Sequence, residues 1–331
     1  MSRFYIKSVG VLFMLLLTGC LHDHPSVMPD GEIGVDPTLV SVDADVTLDL
    51  SMEPFKARGM FDSEDADVLM RFIIEVNRNG KVVERIDTLV SPSAVVDNRI
   101  QLPVGMKLHA LQYSVMVWAD FVDAVTREPL YYDATSLRAV TYLSPYRGNA
   151  ELRQCFCGLA QLDLRSYRDK WYASSHVSVE LKRPLAKYRI VATDIKEFLN
   201  RHLANRDGGA RYVVTFSYSY IPAVYNVLES MVDGDVGDVG FSFPLDLSLA
   251  SEDEIEVGFD YLFAVPDQVK EVTLTIKVVN SMLIPVSKVS DIPIPYEQGT
   301  LTTIKGDFLT NEIGGSIVID TKWGNEIIIE I

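Results

Sequence analysis

Short runs of alternating apolar and polar residues, each ended by turn residues, recur along most of this chain and constrain its fold more than any other feature. "TLVSVDADVTLDLSM", which begins at Thr38, is one such run, and "LQYSVMVWAD", which ends at Asp120, is another. Two further runs flank Asn79-Gly80, a dipeptide favoured in tight hairpin turns. A period of two residues indicates strands with one buried face. The pattern therefore predicts an all-β protein made of antiparallel sandwiches.

The second half of the chain continues the pattern, with one helical exception. "ARYVVTFSYSY", "IEVGFDYLFAV" and "KEVTLTIKVV" are strand-like. In "TDIKEFLNRHLANRDGG" the apolar residues recur at helical spacing, which indicates a helix that packs on a sheet. Thr193 or Asp194 can cap its beginning, and Gly208 can end it. We expect one short helix in the second domain.

The length of 331 residues exceeds that of an ordinary domain, so we expect two sandwiches. A long irregular region follows Trp118 and leads through "CFCGLAQLDL" into the second half. We place the first β-sandwich domain at residues 38–165 and the second at residues 166–331. Residues 1–19 are predicted to be a signal peptide and residues 20–37 a flexible tether, because the tether is rich in Pro, Gly and Asp.

The first twenty residues indicate export and a lipid anchor. The apolar run Val9–Leu17 follows Arg3 and Lys7 and is too short to cross a bilayer as a helix, which needs about 20 residues. Leu17-Thr18-Gly19-Cys20 has the form of a bacterial lipobox. We expect cleavage before Cys20 and lipidation of its thiol, which would anchor to a membrane a body held outside the cell. The alternative is an ordinary signal peptide with a chance cysteine.

The charge of the chain restricts its partners. Its formal net charge is −16, and loss of Arg3 and Lys7 with the signal would make it more negative. An acidic surface repels nucleic acid and anionic headgroups, so we expect no nucleic-acid partner.

Motifs that carry catalysis or bind cofactors are missing from the sequence. It has no Gly-x-Ser-x-Gly, no His-Glu-x-x-His and no phosphate-binding glycine loop, so we expect neither an enzyme nor a cofactor. Cys155 and Cys157 are interpreted as two small buried hydrophobes. Asp233, Asp235 and Asp238 lie among glycines and could bind calcium, but their spacing lacks the terminal Glu of the known loop. We favour a solvated turn there and expect no metal site.

Aromatic residues are concentrated in and just before the irregular region. Exposed, they would stack on a sugar or contact a partner; buried, they would close one end of a sandwich. We favour burial, because large aromatics are mostly packed. The candidates for a partner or glycan contact are Trp118, Tyr131, Tyr132, Tyr142 and Tyr146.

Several passages resemble a known family. "RFIIEVNRNGKVV", "YSVMVWADFVDA", "YRGNAELRQCFCG" and "IPIPYEQGTLTTIKGDFLT" resemble Bacteroidetes surface lipoproteins related to the fimbrillin-like proteins and the FimB-type minor fimbrium anchoring subunits. The resemblance implies two transthyretin-like, immunoglobulin-like β-sandwich domains on an outer-membrane lipid anchor. It also implies a structural, anchoring or accessory adhesive role among other fimbrial subunits, which join by strand exchange. Gln154-Cys155-Phe156 departs from the Asp-Ala-Phe of many relatives.

Three further expectations concern an alternative function, the C-terminus and the oligomeric state. The alternative function is that of a glycan-binding lipoprotein in a polysaccharide-uptake system, based on the aromatic residues. The C-terminal "NEIIIEI" is predicted to pair with "GGSIVID" as a hairpin over residues 316–331. With that strand in its own domain, we expect a monomer when the protein is isolated without lipid.

Overall fold

A computed structural model describes residues 39–48, 67–96, 99–167, 173–203, 211–251, 253–311 and 326–330. The predicted signal peptide, Cys20 and the tether lie outside these residues. The described strands are β1 Leu39–Leu48, β2 Val68–Arg78, β3 Lys81–Val90, β4 Arg99–His109, β5 Gln112–Asp123, β6 Tyr132–Asp133, β7 Val140–Tyr142, β8 Phe156–Asp163, β9 Ser174–Leu181, β10 Leu185–Ala192, β11 Val213–Asn226, β12 Met231–Pro244, β13 Ile255–Phe263, β14 Lys270–Val279, β15 Pro285–Tyr296, β16 Leu301–Gly306 and β17 Glu326–Glu330; the α-helix, α1, is Ile195–Leu203.

The first sandwich packs a sheet of order β4-β1-β9 against a sheet of order β3-β2-β5-β8. The hairpin predicted at Asn79-Gly80 is confirmed: Arg78 pairs with Lys81, and both turn residues have positive φ. Asn and Gly are the residues that tolerate this backbone conformation best, which explains their place in the turn.

Strand β9 belongs to the first sandwich. It runs parallel to β1, with Ser41 opposite Ser174 and Leu48 opposite Leu181. Its apolar residues join the core of this sandwich. The predicted domain boundary between residues 165 and 166 falls before β9; the domain division stays a prediction.

Both faces of the β2–β5 sheet are covered. Phe72, Ile74 and Val117 face the first core, whereas Ile73 and Trp118 face a separate apolar cluster. All five are fully buried. Continuous burial on two faces explains why "RFIIEV" lacks the alternation expected of a half-exposed strand.

The second sandwich packs a β13-β10-β16-β17 sheet against a larger sheet of order β15-β14-β11-β7-β6, in which β12 pairs with the other edge of β11. The all-β class with one short helix is therefore confirmed. Most strand pairs are antiparallel, but β1–β9, β10–β16 and β16–β17 are parallel.

The helix packs as predicted, but its cap differs. Ile195 and Phe198 are fully buried in the second core. The Asp194 carboxylate accepts N–H groups of Leu309 and Thr310, at 2.9 and 2.6 Å, instead of capping the helix. It thereby joins the start of α1 to the segment after β16. Gly208 lies outside the described residues.

The C-terminal strand β17 runs parallel to β16, with Leu301 opposite Glu326 and Lys305 opposite Glu330. The described partner of β17 is thus a strand more than twenty residues upstream. The "GGSIVID" predicted to complete a hairpin lies outside the described residues. Within the described part of the chain, no helix is long and apolar enough to cross a membrane.

Candidate functional site

A third apolar cluster joins the two sandwiches. It takes residues from the outer face of β2 and β5, from the segment that runs from β6 to β8, and from β10, β11 and β13. Because these elements come from both halves of the chain, the cluster fixes one half against the other. Its largest members are Trp118, Tyr132, Tyr225, Phe259, Tyr261 and Phe263.

The structure brings four of the five predicted aromatic residues into one chain of ring contacts. The Trp118 and Tyr132 ring centroids lie 5.5 Å apart, those of Tyr132 and Tyr142 5.9 Å, and those of Tyr142 and Tyr146 5.1 Å. Phe263 stacks on Tyr142 at 4.6 Å. Tyr131 packs against the same cluster from outside.

Burial separates these residues into two groups. Trp118 is 0% and Tyr132 1% exposed, so neither presents a surface to a ligand. Tyr131, Tyr142 and Tyr146 are partly exposed. For these three tyrosines, contact with a partner or glycan stays a prediction.

A buried ion pair lies beside the aromatic cluster. The Arg153 guanidinium, on the turn before β8, donates to the Asp260 carboxylate on β13, and both side chains are at most 1% exposed. The hydroxyls of Tyr146 and Tyr218 donate to the same carboxylate at 2.8 and 2.7 Å. The Tyr188 hydroxyl in turn contacts that of Tyr218. These bonds supply the partners that the buried Asp260 carboxylate requires.

The charge states of this network follow from its surroundings. Burial raises the pKa of Asp260, and the adjacent Arg153 opposes this rise. Burial alone would lower the pKa of Arg153, but Asp260 and the nearby tyrosines raise it well above its usual value. Burial also raises the pKa of Tyr146 and Tyr218, so both hydroxyls keep their protons. The paired charges and their hydrogen bonds hold the connecting segment against β13.

Two arginines hold the segment that carries Tyr132. Arg71 makes a bidentate pair with Asp120, at 2.8 and 2.5 Å, and donates to the Tyr132 carbonyl at 3.4 Å. Trp118 Nε1 donates to the Asp120 carboxylate at 3.0 Å. Arg85 donates to the carbonyl groups of Ala134 and Thr135, both at 2.9 Å. The connection between the sandwiches is therefore held by charged hydrogen bonds as well as by apolar packing.

A cleft of about 290 Å³ opens next to the aromatic cluster. Tyr142, Leu143, Tyr146, Val236 and Val239 form most of its wall. The Tyr142 hydroxyl accepts the Phe263 N–H at 3.0 Å, and the Tyr146 hydroxyl is held by Arg153 and Asp260. Since these hydroxyls are already engaged, the cleft offers mainly apolar surface, which suits an apolar side chain better than a sugar.

The acidic stretch interpreted as a solvated turn is part of a strand. Asp233, Asp235 and Asp238 lie on β12 and are exposed, so the prediction of a turn was wrong. Residue-by-residue pairing with β11 keeps this stretch extended. In the described part of the chain, no three His, Cys, Asp or Glu residues are grouped so as to hold a metal ion. Cys155 and Cys157 are free and buried, as predicted.

Sequence reasoning missed Arg153 and Asp260, which are 107 residues apart. The signal for Asp260 was an acid between two aromatic residues, Phe259 and Tyr261, in a mostly apolar strand.

Comparison with known proteins gives a family. The model of a family of unknown function, DUF6562, matches residues 37–331. The chain belongs to this family. No curated protein matches the chain.

Similar solved structures include a candidate adhesin from Bacteroides ovatus, with 13% identity and a TM-score of 0.37, covering 76% of each chain. A candidate cell adhesion protein from Bacteroides eggerthii has 10% identity and a TM-score of 0.40, covering 89% of this DUF6562 chain and 94% of its own. The fimbrial anchor protein Mfa2 from Porphyromonas gingivalis has 9% identity and a TM-score of 0.39, with coverages of 77% and 82%. Two of these neighbours are described as adhesion proteins and the third as a fimbrial anchor, the kinds of protein that the sequence passages resemble.

Proposed function

We propose that this DUF6562 protein is a surface lipoprotein of the outer membrane that acts as a structural, anchoring or accessory adhesive subunit of fimbriae. The observation that carries the proposal is the Leu17-Thr18-Gly19-Cys20 lipobox ahead of a body made of two β-sandwiches. A lipid on Cys20 would hold the body at the membrane, and a body joined by a buried network would transmit load between anchor and partner.

The position of β1 supports an anchoring role. β1 begins at Leu39, opposite His109, and β9 runs parallel to it. β9 ends next to Lys182, which pairs with Cys157 and leads into the second sandwich. The chain therefore enters the first sandwich at the end remote from the second. A lipid upstream of β1 would leave the second sandwich pointing away from the membrane.

The glycan-binding alternative loses support from the aromatic residues that motivated it. Trp118 and Tyr132 are buried, and the hydroxyls of Tyr142 and Tyr146 are engaged within the protein. A glycan array with the isolated protein would decide it, since micromolar affinity for one polysaccharide would favour the alternative.

Immunogold labelling of intact cells, with and without the gene, tests the fimbrial proposal. We expect labelling at the cell surface together with fibres, and altered fibre number, length or attachment in the deletion strain. Unchanged fibres, with label that never coincides with them, would contradict the proposal. A strain carrying Cys20→Ser separates loss of the anchor from loss of the protein.

A further inference from the structure

The hairpin β14–β15 carries an exposed apolar tip at one end of the molecule. Its three residues, Met282, Leu283 and Ile284, are 72%, 75% and 52% exposed. The hairpin stem pairs with the beginning of β11, Val213 lying opposite Val279, while the other end of β11 pairs with β7 next to the first sandwich. The apolar tip thus lies at the end of the second sandwich remote from the first. Three adjacent exposed apolar side chains are unusual on a surface that has no partner.

The backbone of the apolar tip is held by one side chain. Asn280 Oδ1 accepts the N–H groups of Met282 and Ile284, both at 3.0 Å. The Leu283 N–H donates to the Asn280 carbonyl at 2.9 Å, and the Asn280 N–H donates to the Ile284 carbonyl at 3.0 Å. All three amide donors of the tip are therefore satisfied within the hairpin. Backbone N–H groups that enter an apolar medium must be hydrogen-bonded within the protein, because no water is present there to bind them.

The charge of the hairpin that carries the tip differs from that of the chain as a whole. The hairpin segment from Lys277 to Lys288 contains two lysines and no acid, although acids outnumber bases 46 to 30 overall. Lys277 and Lys288 are paired across the hairpin and exposed. At about 3.4 Å per residue, the pair lies roughly 10 Å or more below the end of the tip. That offset would bring lysines to the phosphate level when apolar side chains enter the acyl boundary.

We propose that the apolar tip inserts into the interface of a lipid bilayer and that Lys277 and Lys288 bind its anionic headgroups. The net charge of −16 disfavours anionic surfaces at long range. Salt screens that repulsion within about 8 Å at physiological ionic strength, so the charges nearest the tip decide the contact. This inference does not depend on the fimbrial role. If a lipid upstream of β1 anchors the protein in its own membrane, the tip would point away from that membrane. The bilayer that it enters would then be a second membrane, opposite the cell surface.

Vesicle co-sedimentation of residues 20–331 carrying Cys20→Ser tests the proposal without a contribution from lipidation. We expect binding to phosphatidylcholine vesicles, and tighter binding when about one third of the lipid is phosphatidylglycerol. The variant Met282→Gln/Leu283→Asn/Ile284→Thr should bind both at least about tenfold more weakly. Leu283 has a φ of 61°, and Asn tolerates this conformation, so the variant keeps the turn.

Two matched variants complete the design. Lys277→Gln/Lys288→Gln should weaken binding to the anionic vesicles by about tenfold and leave binding to phosphatidylcholine unchanged. Val96→Thr/Val125→Thr/Val269→Thr removes three other exposed apolar side chains. It should change neither the binding to anionic vesicles nor the binding to phosphatidylcholine vesicles. Absence of vesicle binding, or binding that the tip variant does not weaken, would overturn the proposal. The proposal would also be overturned if the tip were required for self-association or for binding another protein and the protein did not bind vesicles.

Discussion

Arg153, on the turn before β8, and Asp260, on β13, form a fully buried ion pair between the connecting segment and the second sandwich. Each is a charge that the protein interior tolerates only because the other is present. The hydroxyls of Tyr146 and Tyr218 complete the coordination of the carboxylate. The junction therefore depends on a set of groups that must all be in place together.

Loss of one member of this pair is expected to destabilise the protein strongly. Arg153→Ala or Asp260→Ala should each lower the free energy of unfolding by about 3–5 kcal/mol, since the remaining charge stays buried without its partner. Urea unfolding followed by tryptophan fluorescence measures this loss of stability, because Trp118 lies in the apolar cluster that joins the two sandwiches. The control is Asp163→Ala, which removes an exposed partner of Arg165 and should change little.

The double variant Arg153→Met/Asp260→Leu distinguishes the buried charge from simple loss of volume. It should recover a large part of the stability lost in either alanine variant, because apolar residues then replace both charges. A double variant as unstable as the sum of the single variants would contradict this interpretation.

Close contact between β8 and β9 makes Gly158 sensitive to substitution. A Cβ at Gly158 would lie 2.2 Å from the Glu180 carbonyl oxygen and 2.9 Å from side-chain atoms of Val179 and Leu181. Gly158→Ala should therefore force the strands apart and cost about 1–3 kcal/mol. Gly105→Ala is the matched control, since nothing lies within 4 Å of its Cβ position. Equal stability of the two variants in thermal unfolding would show that β8 and β9 are not packed in this way.

The sequence predicted the fold class well because alternation and turn chemistry are local. The Asn79-Gly80 hairpin and the helix around Phe198 both follow from residues close in sequence. The parallel pairing of β9 with β1 is not local, so the sequence does not show it. The acidic first part of β12 was interpreted as a turn because its side chains are mostly exposed on both faces, so its sequence shows no alternation.

The candidate site was predicted only in part, for the same reason. Aromatic side chains concentrated in one stretch were visible in the sequence, and the structure brings most of them together. Burial was favoured from the sequence, and Trp118 and Tyr132 are buried. The charged partners could not be predicted, because Asp260 comes from a strand far along the chain. An ion pair between residues far apart in the chain produces no motif of fixed spacing that sequence analysis could recognise.

Cys157 should contribute to a loss of stability at alkaline pH. Burial raises the pKa of its thiol to about 12 from an ordinary value of 9.0. A raised pKa means that the folded state retains a proton that the unfolded chain releases, so this contribution is complete below about pH 9 and is lost as pH rises towards 12. Between about pH 8 and pH 10 it should cost about 1 kcal/mol. Urea midpoints at these pH values measure the fall, and Cys157→Val should make it smaller; an identical fall in that variant would exclude Cys157 as a source.

Lipidation at Cys20 stays a prediction of the sequence, and a single substitution tests it. Cys20→Ser should abolish incorporation of a clickable fatty acid and release or mis-process the protein, because each buried methylene of the acyl chains contributes about 0.8 kcal/mol to membrane binding. Cys157→Ser provides a comparison in which a different cysteine is removed. Unchanged labelling of the Cys20→Ser protein would contradict the lipid anchor.

The last strand, β17, is expected to stabilise the second sandwich. It covers one edge of β16, whose residues Thr302, Thr303 and Ile304 are fully buried. Deletion of Glu326–Ile331 would leave the backbone groups along that edge without their partners. At about 1 kcal/mol for each lost hydrogen bond, the deletion should cost at least about 2 kcal/mol. Deletion of Ile331 alone is the control, because it leaves all five paired positions of β17 in place. Urea unfolding compares the two, with the second sandwich expected to unfold first in the longer deletion. If that deletion variant keeps its stability but no longer joins other fimbrial subunits, β17 acts instead as a strand donated to a partner.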